Sequence, residues 1–241
     1  MNRLLLVPLL FLLGSAATAA QAAVPDERCS ARVDITDVPV VTIGASMPSD
    51  RFAVMITGDG GWRRIDRKIT DRLRAAGIPI VGFIASDYFR KRRSPEESAC
   101  ALERVIRYYM IQWHRNKVLL IGYSRGADVL PFMASRLPGD LREATQLIAL
   151  LGLQSMIDFR YSPPWSVNAY THKEPMYPVK PEVEKLRAQN ILCVFGAKEK
   201  DSLCHALDPR AVKILAEPGG HHFAGKYRDI ADMILIESAG R

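Results

Sequence analysis

The chain has 241 residues, of which 48% are hydrophobic and 24% charged, with 33 Lys and Arg against 26 Asp and Glu for a formal net charge of +7. A length of that order buries roughly two-thirds or more of the unfolded surface in one core. Such a composition excludes a disordered tail, a collagen-like rod and a multi-span membrane protein. Gly 16 and Pro 15 are ordinary counts and no solenoid or propeller repeat is visible, so one compact domain of enzyme size is expected.

The N-terminal stretch stands apart. Met1-Asn2-Arg3 is a short basic start, Leu4 to Leu13 is apolar apart from Pro8, and Ala20-Gln21-Ala22 offers a small-x-small cleavage site. This is the layout of a secretory signal peptide over 1–22, with an apolar run too short to span a bilayer. The mature domain is expected over 23–241, outside the cytoplasm. Losing Arg3 leaves 32 basic residues against 26 acidic, a charge of +6. For an exported protein that excess argues against nucleic acid and for an anionic membrane face. In an oxidising compartment four cysteines read as disulfides. Cys193 with Cys204 would tie a loop to a core strand, leaving Cys29 for Cys100. No Cys-x-x-Cys pair or ligand-spaced histidines occur, so neither a metal nor an organic cofactor is expected.

In chain order, Val33 to Ile43 suits an edge strand or hairpin. Phe52 to Ile56 is a short apolar run that fits a strand covered on both faces. Trp62, Ile65, Ile69, Leu73 and Ala76 recur at helical spacing, and Gly77 marks the end of that helix. Ile78 to Ile84 is the next strand. Ser94-Pro95-Glu96-Glu97 starts a helix with a cap, a first-position proline and acidic residues in the first turn, running to about His114. Strand Lys117–Ile121, helix Arg125–Leu137 and strand Leu147–Leu151 follow. From 155 to 181 the periodicity dissolves, as in a lid or substrate-binding insertion. Helix Glu182–Ala188, strands Ile191–Phe195 and Val212–Leu215, and helix Tyr227–Ile236 complete the alternation. That order implies an α/β fold with a mostly parallel sheet, helices on both faces, and a site at the strands' carboxyl ends.

The sharpest motif is Gly122-Tyr123-Ser124-Arg125-Gly126, between strand Val118–Ile121 and a helix. A Gly-x-Ser-x-Gly so placed is the nucleophile elbow of α/β-hydrolases, where small neighbours let a strained serine stand above the sheet. Its hydroxyl needs a base, and in this fold the chain order is serine, acid, histidine. Gly219-Gly220-His221-His222-Phe223 supplies the histidine: His222 is the choice, His221 the alternative, with Phe223 packing the loop down. After strand Ile191–Phe195 the carboxylates are Glu199, Asp201 and, further on, Asp208; Asp201 is the choice, and Asp158 the fallback. The developing oxyanion needs donors. These are expected from the backbone N–H of Arg125 and from Asp59 and Gly60 within Gly58-Asp59-Gly60-Gly61-Trp62.

Together these segments, with Ala127-Asp128-Val129-Leu130-Pro131, Asp201-Ser202-Leu203-Cys204 and Pro218 before the histidine loop, resemble the VirJ/AcvB family from about Arg51 to Ile236. The resemblance implies an α/β-hydrolase fold, a periplasmic location and a Ser124–Asp201–His222 triad. It also implies hydrolysis of the aminoacyl ester of aminoacyl-phosphatidylglycerol (Lys- or Ala-phosphatidylglycerol). Other members carry a label of virulence or type IV secretion, which makes a secretion-system partner or a binding component without turnover the alternative. An esterase or thioesterase acting on another acylated envelope compound is the rival within the same class. The residues add to the lipid reading. Tyr88-Phe89-Arg90-Lys91-Arg92-Arg93 interleaves aromatics with cations as an anionic headgroup layer would favour. Trp62, Tyr123 and Glu199 are expected to border the substrate, with Asp59 or Glu199 receiving its ammonium. Pro163-Pro164-Trp165 and Tyr170 would offer lid surface to acyl chains.

Overall fold

The computed structural model describes Cys29, residues 34–163 and residues 175–240. The leader expected at 1–22 and the lid residues Pro164, Trp165 and Tyr170 lie outside these residues.

Seven strands form one sheet in the order β1 (Val40–Ile43), β3 (Ile80–Phe83), β2 (Arg51–Ile56), β4 (Lys117–Tyr123), β5 (Thr145–Leu151), β8 (Ile191–Gly196), β9 (Lys213–Glu217). β1 runs antiparallel to β3 and every other pairing is parallel. The central strands are apolar at successive positions because both faces are covered. Phe52, Val54 and Ile56 of β2 and Val118 and Leu120 of β4 enter one core. Ala53 and Met55, with Leu119 and Ile121, enter the other.

The second core is closed by α1 (Arg64–Ala75) and α7 (Tyr227–Ala239), which pack on each other. The first is closed by α3 (Pro95–Trp113) and α4 (Arg125–Ala134). The start of α3 carries the expected cap: Ser94 Oγ accepts the Glu97 N–H at 3.0 Å while Glu97 accepts the Ser94 N–H at 2.7 Å. Short helices α2 (Ala85–Tyr88), α5 (Gly139–Ala144) and α6 (Lys180–Lys185) complete the set.

The segment 155–181 is not without structure where it is described. Its two ends pair as a ribbon of β6 (Met156–Ile157) and β7 (Tyr177–Pro178). Phe159 anchors it through edge-to-face contacts with Phe89, Phe132 and Tyr177. Both expected disulfides, Cys29–Cys100 and Cys193–Cys204, are present, which suits an oxidising, exported environment. Among the described residues no helix is long and apolar enough to cross a membrane.

Candidate active site

Five loops meet at the carboxyl edge of the sheet, leaving β2, β4, β5, β8 and β9. Ser124 stands between β4 and α4 with φ 53° and ψ −124°, a strained conformation for a side chain with a Cβ. Backbone proximity explains its flanking glycines. A Cβ on Gly122 would lie 2.3 Å from the Gly126 carbonyl oxygen, and one on Gly126 would lie 2.1 Å from that of Ile56. Any larger residue would push the helix off the sheet, so the elbow requires glycine at both.

Ser124 Oγ lies 2.9 Å from Nε2 of His221, and His221 Nδ1 lies 2.7 Å from Oε1 of Glu199. The three groups form one hydrogen-bonded line, in which Glu199 is buried. The histidine and the acid chosen from sequence are therefore both corrected, each by a near neighbour. His222 is exposed and its Nδ1 faces the Tyr123 hydroxyl at 2.9 Å instead of Ser124. Asp201 is exposed, outside the line. The cause is a tight turn after β8. Glu199 N–H donates to the Gly196 carbonyl and the Gly196 N–H donates to Glu199 Oε2, each at 2.8 Å. That folds the Glu199 carboxylate inward and carries Asp201 outward. Asp208 pairs with Arg210, and the fallback Asp158 accepts from Arg125 Nη1 at 2.7 Å.

The histidine loop is fixed from below and from the side. Phe223 is wholly buried in the second core, as expected, at φ 51°. The Tyr123 hydroxyl lies 3.2 Å from the His221 carbonyl, and burial foremost, then Tyr227, Asp66 and Glu199, hold its phenol above the ordinary range, so it stays a donor. Gly152, directly after β5 at φ +70°, lies under the ring: a Cβ there would sit 2.7 Å from His221 Cε1. This glycine is a signal that sequence reasoning passed over.

Beside the line lies a cavity of about 400 Å³ bordered by Gly58 to Gly61, Arg63 to Asp66, Tyr123, Ser124, both histidines and Tyr227. Arg125 occupies the first helical position of α4, where a backbone N–H has no acceptor within the helix. Gly58 lies against the nucleophile, with a Cβ there only 3.0 Å from Ser124 Cβ. The start of the loop Gly58–Gly61 thus lies beside the nucleophile, while the Gly61 N–H is engaged by the Gly58 carbonyl at 3.0 Å. The side chain of Asp59 is held by Arg125, which also grips Asp158. Asp59 and Glu199, the two carboxylates expected to receive a substrate ammonium, are thereby already engaged within the protein.

Trp62 is displaced from the expectation too. It covers β3, where a Cβ on Gly82 would lie 2.3 Å from its ring, and borders a neighbouring cavity, not that of Ser124. Tyr123 does line the Ser124 cavity. The cationic strip is narrower than its sequence suggests. Tyr88 and Phe89 are buried and stack edge to face, and Arg93 turns back over the Tyr88 ring at 4.6 Å. Arg90, Lys91 and Arg92 are exposed. No group of His, Cys, Asp or Glu suited to a metal ion occurs among the described residues.

Residues 50–241 match the family described as "Bacterial virulence protein (VirJ)", and the chain belongs to this family. Among solved structures it is similar to Est1E from Butyrivibrio proteoclasticus (TM-score 0.56, 11% identity, covering 84% of this chain and 95% of that one). It is also similar to the esterase Pf2001 of Pyrococcus furiosus (TM-score 0.54, 12% identity, 83% and 89%). A third likeness is to a lipase-esterase related protein from Clostridium acetobutylicum (TM-score 0.53, 14% identity, 83% and 98%). At these identities the likeness establishes the α/β-hydrolase fold. The comparison with curated proteins yields no match.

Proposed function

We propose that this VirJ-family chain is a periplasmic serine esterase that hydrolyses the aminoacyl ester of an aminoacylated phosphatidylglycerol at an anionic membrane surface. The observation that carries the esterase reading is the continuous line from Ser124 Oγ through His221 to the buried Glu199 carboxylate. Glu199 accepts the Nδ1 hydrogen, which leaves Nε2 free to take the Ser124 proton and orients the ring for it. The alkoxide attacks the aminoacyl carbonyl. The Arg125 N–H and the Gly58–Gly61 loop donate to the oxyanion, an effect worth about two to three powers of ten in rate for each donor. His221 returns the proton to the leaving glycerol oxygen, and water, activated by the same imidazole, releases the amino acid from the acyl-enzyme.

The lipid part of the reading rests on the family resemblance and on the cavity's border, where Arg63 and Arg64 offer cations to a phosphodiester. The two disulfides and the basic balance of the chain support an envelope location. The rival reading, a binding or secretion-assembly component without turnover, makes the opposite prediction for one experiment. The mature protein is treated with a fluorophosphonate probe and, separately, with vesicles containing Lys- or Ala-phosphatidylglycerol. Labelling at Ser124 and release of free amino acid are expected, both lost in Ser124→Ala. Labelling that survives in the alanine variant removes the nucleophile; release from neither lipid removes the substrate.

A further inference from the structure

Glu199 stands at the head of a loop that closes on itself. After it the chain swings out through exposed Lys200 and Asp201, then returns at buried Ser202. Two hydrogen bonds to the Leu153 carbonyl hold that return, from Ser202 Oγ at 3.2 Å and from the Leu203 N–H at 3.0 Å. A 3-10 turn over Leu203–Ala206 follows, in which buried Cys204 is joined to buried Cys193 of β8. The next residue, His205, faces back to where the loop began. Its ring rests edge to face on Phe195 with centroids 4.3 Å apart, and its Nε2 lies 3.0 Å from the Glu199 carbonyl oxygen. A carbonyl oxygen only accepts, so Nε2 carries the hydrogen of this contact whether the ring is neutral or charged. Glu199 is therefore held at three points. Its N–H donates to the Gly196 carbonyl, its Oε2 accepts the Gly196 N–H, and its own carbonyl accepts from His205. The first two bonds run back to one residue; the third fixes the side from which the chain turns outward.

We propose that His205 is a positioning residue for the reaction: its Nε2–H, steadied by the disulfide at the adjacent Cys204, orients the Glu199 backbone so that Oε1 stays aimed at His221 Nδ1. The assignment rests on the esterase reading above and adds to it a residue that touches neither the substrate nor the reacting atoms. Upstream of Glu199, the Ala197 and Lys198 N–H groups donate to the Glu217 and Gly219 carbonyls at 2.7 and 2.8 Å, which ties the loop to the segment carrying His221. Downstream, His205 supplies the matching tie. A carboxylate held between two such anchors keeps its 2.7 Å contact with the imidazole. Releasing one anchor lets it drift, and a displacement of about 1 Å in such a group costs up to about 10² in rate.

The test separates the ring from its hydrogen. His205→Phe keeps an aromatic ring against Phe195 and removes the donor, with His205→Leu as a second donor-free variant. His205→Gln gives up the ring and keeps an N–H at comparable reach. The purified mature protein is assayed with 4-nitrophenyl acetate. Both donor-free variants are expected to lose about tenfold in kcat with KM changed less than about threefold, while His205→Gln keeps at least about half of wild-type kcat. The donor-free substitutions are then repeated in a Glu199→Gln background, where no carboxylate remains to be aimed and the residual rate should fall by less than about twofold. A general packing defect would follow the ring instead of the donor, and would lower the rate by the same factor in both backgrounds. The assignment is overturned, with the esterase reading intact, by a donor-free kcat within twofold of wild type, by a His205→Gln loss as large as that of His205→Phe, or by an undiminished loss in the Glu199→Gln background. Failure of the wild-type protein to cleave the ester, or cleavage that persists in Ser124→Ala, overturns the esterase reading and the assignment with it.

Discussion

Glu199→Gln is the sharpest perturbation of the proposed mechanism, because two hydrogen bonds at the carboxylate dictate how the amide must sit. Oε2 accepts the buried Gly196 N–H at 2.8 Å, and Oε1 faces His221 Nδ1 at 2.7 Å. In the variant the amide oxygen has to serve Gly196, since an unpaired buried N–H costs about 1–3 kcal/mol. The amide NH2 then faces Nδ1. The imidazole can meet it only as an acceptor, which places its one hydrogen on Nε2, pointing at Ser124. A ring in that tautomer cannot take the serine proton. The expected loss in kcat/KM is of the order of 10³ to 10⁴, as for a misoriented or wrongly protonated triad histidine, or about 4–5.5 kcal/mol of barrier. Hydrolysis of 4-nitrophenyl acetate measures it, with Asp201→Asn as the companion, because Asp201 is exposed and outside the line. The reasoning is refuted if Glu199→Gln retains more than a tenth of wild-type kcat/KM, or if Asp201→Asn loses as much as Glu199→Gln does.

Two further outcomes follow from single positions. Gly152→Ala places a Cβ 2.7 Å from His221 Cε1 on a backbone at φ +70°, so the ring must move; kcat should fall by about 10²-fold or more, with a smaller change in KM, in the same assay. Asp128 is buried on α4, where Oδ1 accepts the Gln154 N–H at 2.7 Å. Burial raises its carboxyl from 3.8 to about 7, opposed by the Gln154 N–H and Arg125 and aided by Asp59. The folded protein therefore retains a proton that the unfolded chain has released, and the associated stability is whole below about pH 4 and lost as pH rises through about 7. Denaturant unfolding of Asp128→Asn should shift relative to wild type by about 1–3 kcal/mol in favour of the variant between pH 5 and pH 8. A difference that does not change with pH shows that the carboxyl is already ionised at the lower value.

The architecture was legible because its causes are local and repeated. Short apolar runs between helical patterns can only be strands covered on both faces, and the glycines around Ser124 are demanded by backbone contacts that any such elbow must make. Choosing between His221 and His222, or between Glu199 and Asp201, is a different problem. Each pair lies within two residues, and composition and spacing treat its members alike. What separates them is the direction of a side chain, set by tertiary contact. The Gly196–Glu199 turn aims one carboxylate inward, while buried Phe223 and the Tyr123 hydroxyl settle which imidazole faces the serine. The same limit explains the strip from Tyr88 to Arg93. Its composition suits a membrane face, yet its two aromatics point into the core.

Arg125 shows how much of the site's order passes through one side chain outside the proton-transfer line. Its backbone begins the helix behind Ser124, while its guanidinium joins Asp59 in the loop after β2 to Asp158 beside β6. Burial lowers its pKa and the two carboxylates more than offset that, so the charge is secure. The loop expected to supply an oxyanion donor and the entrance to the 155–181 insertion are thus fastened to the residue that follows the nucleophile. The sequence places these three residues up to 99 positions apart, and nothing in their spacing announces the link. The fold brings them together because β2, β4 and β5 are adjacent and parallel, so the segments that leave their carboxyl ends, the last of them by way of β6, emerge side by side. A cation at the position after the serine then does what a neutral residue could not: it holds two acidic loops against each other beside the nucleophile.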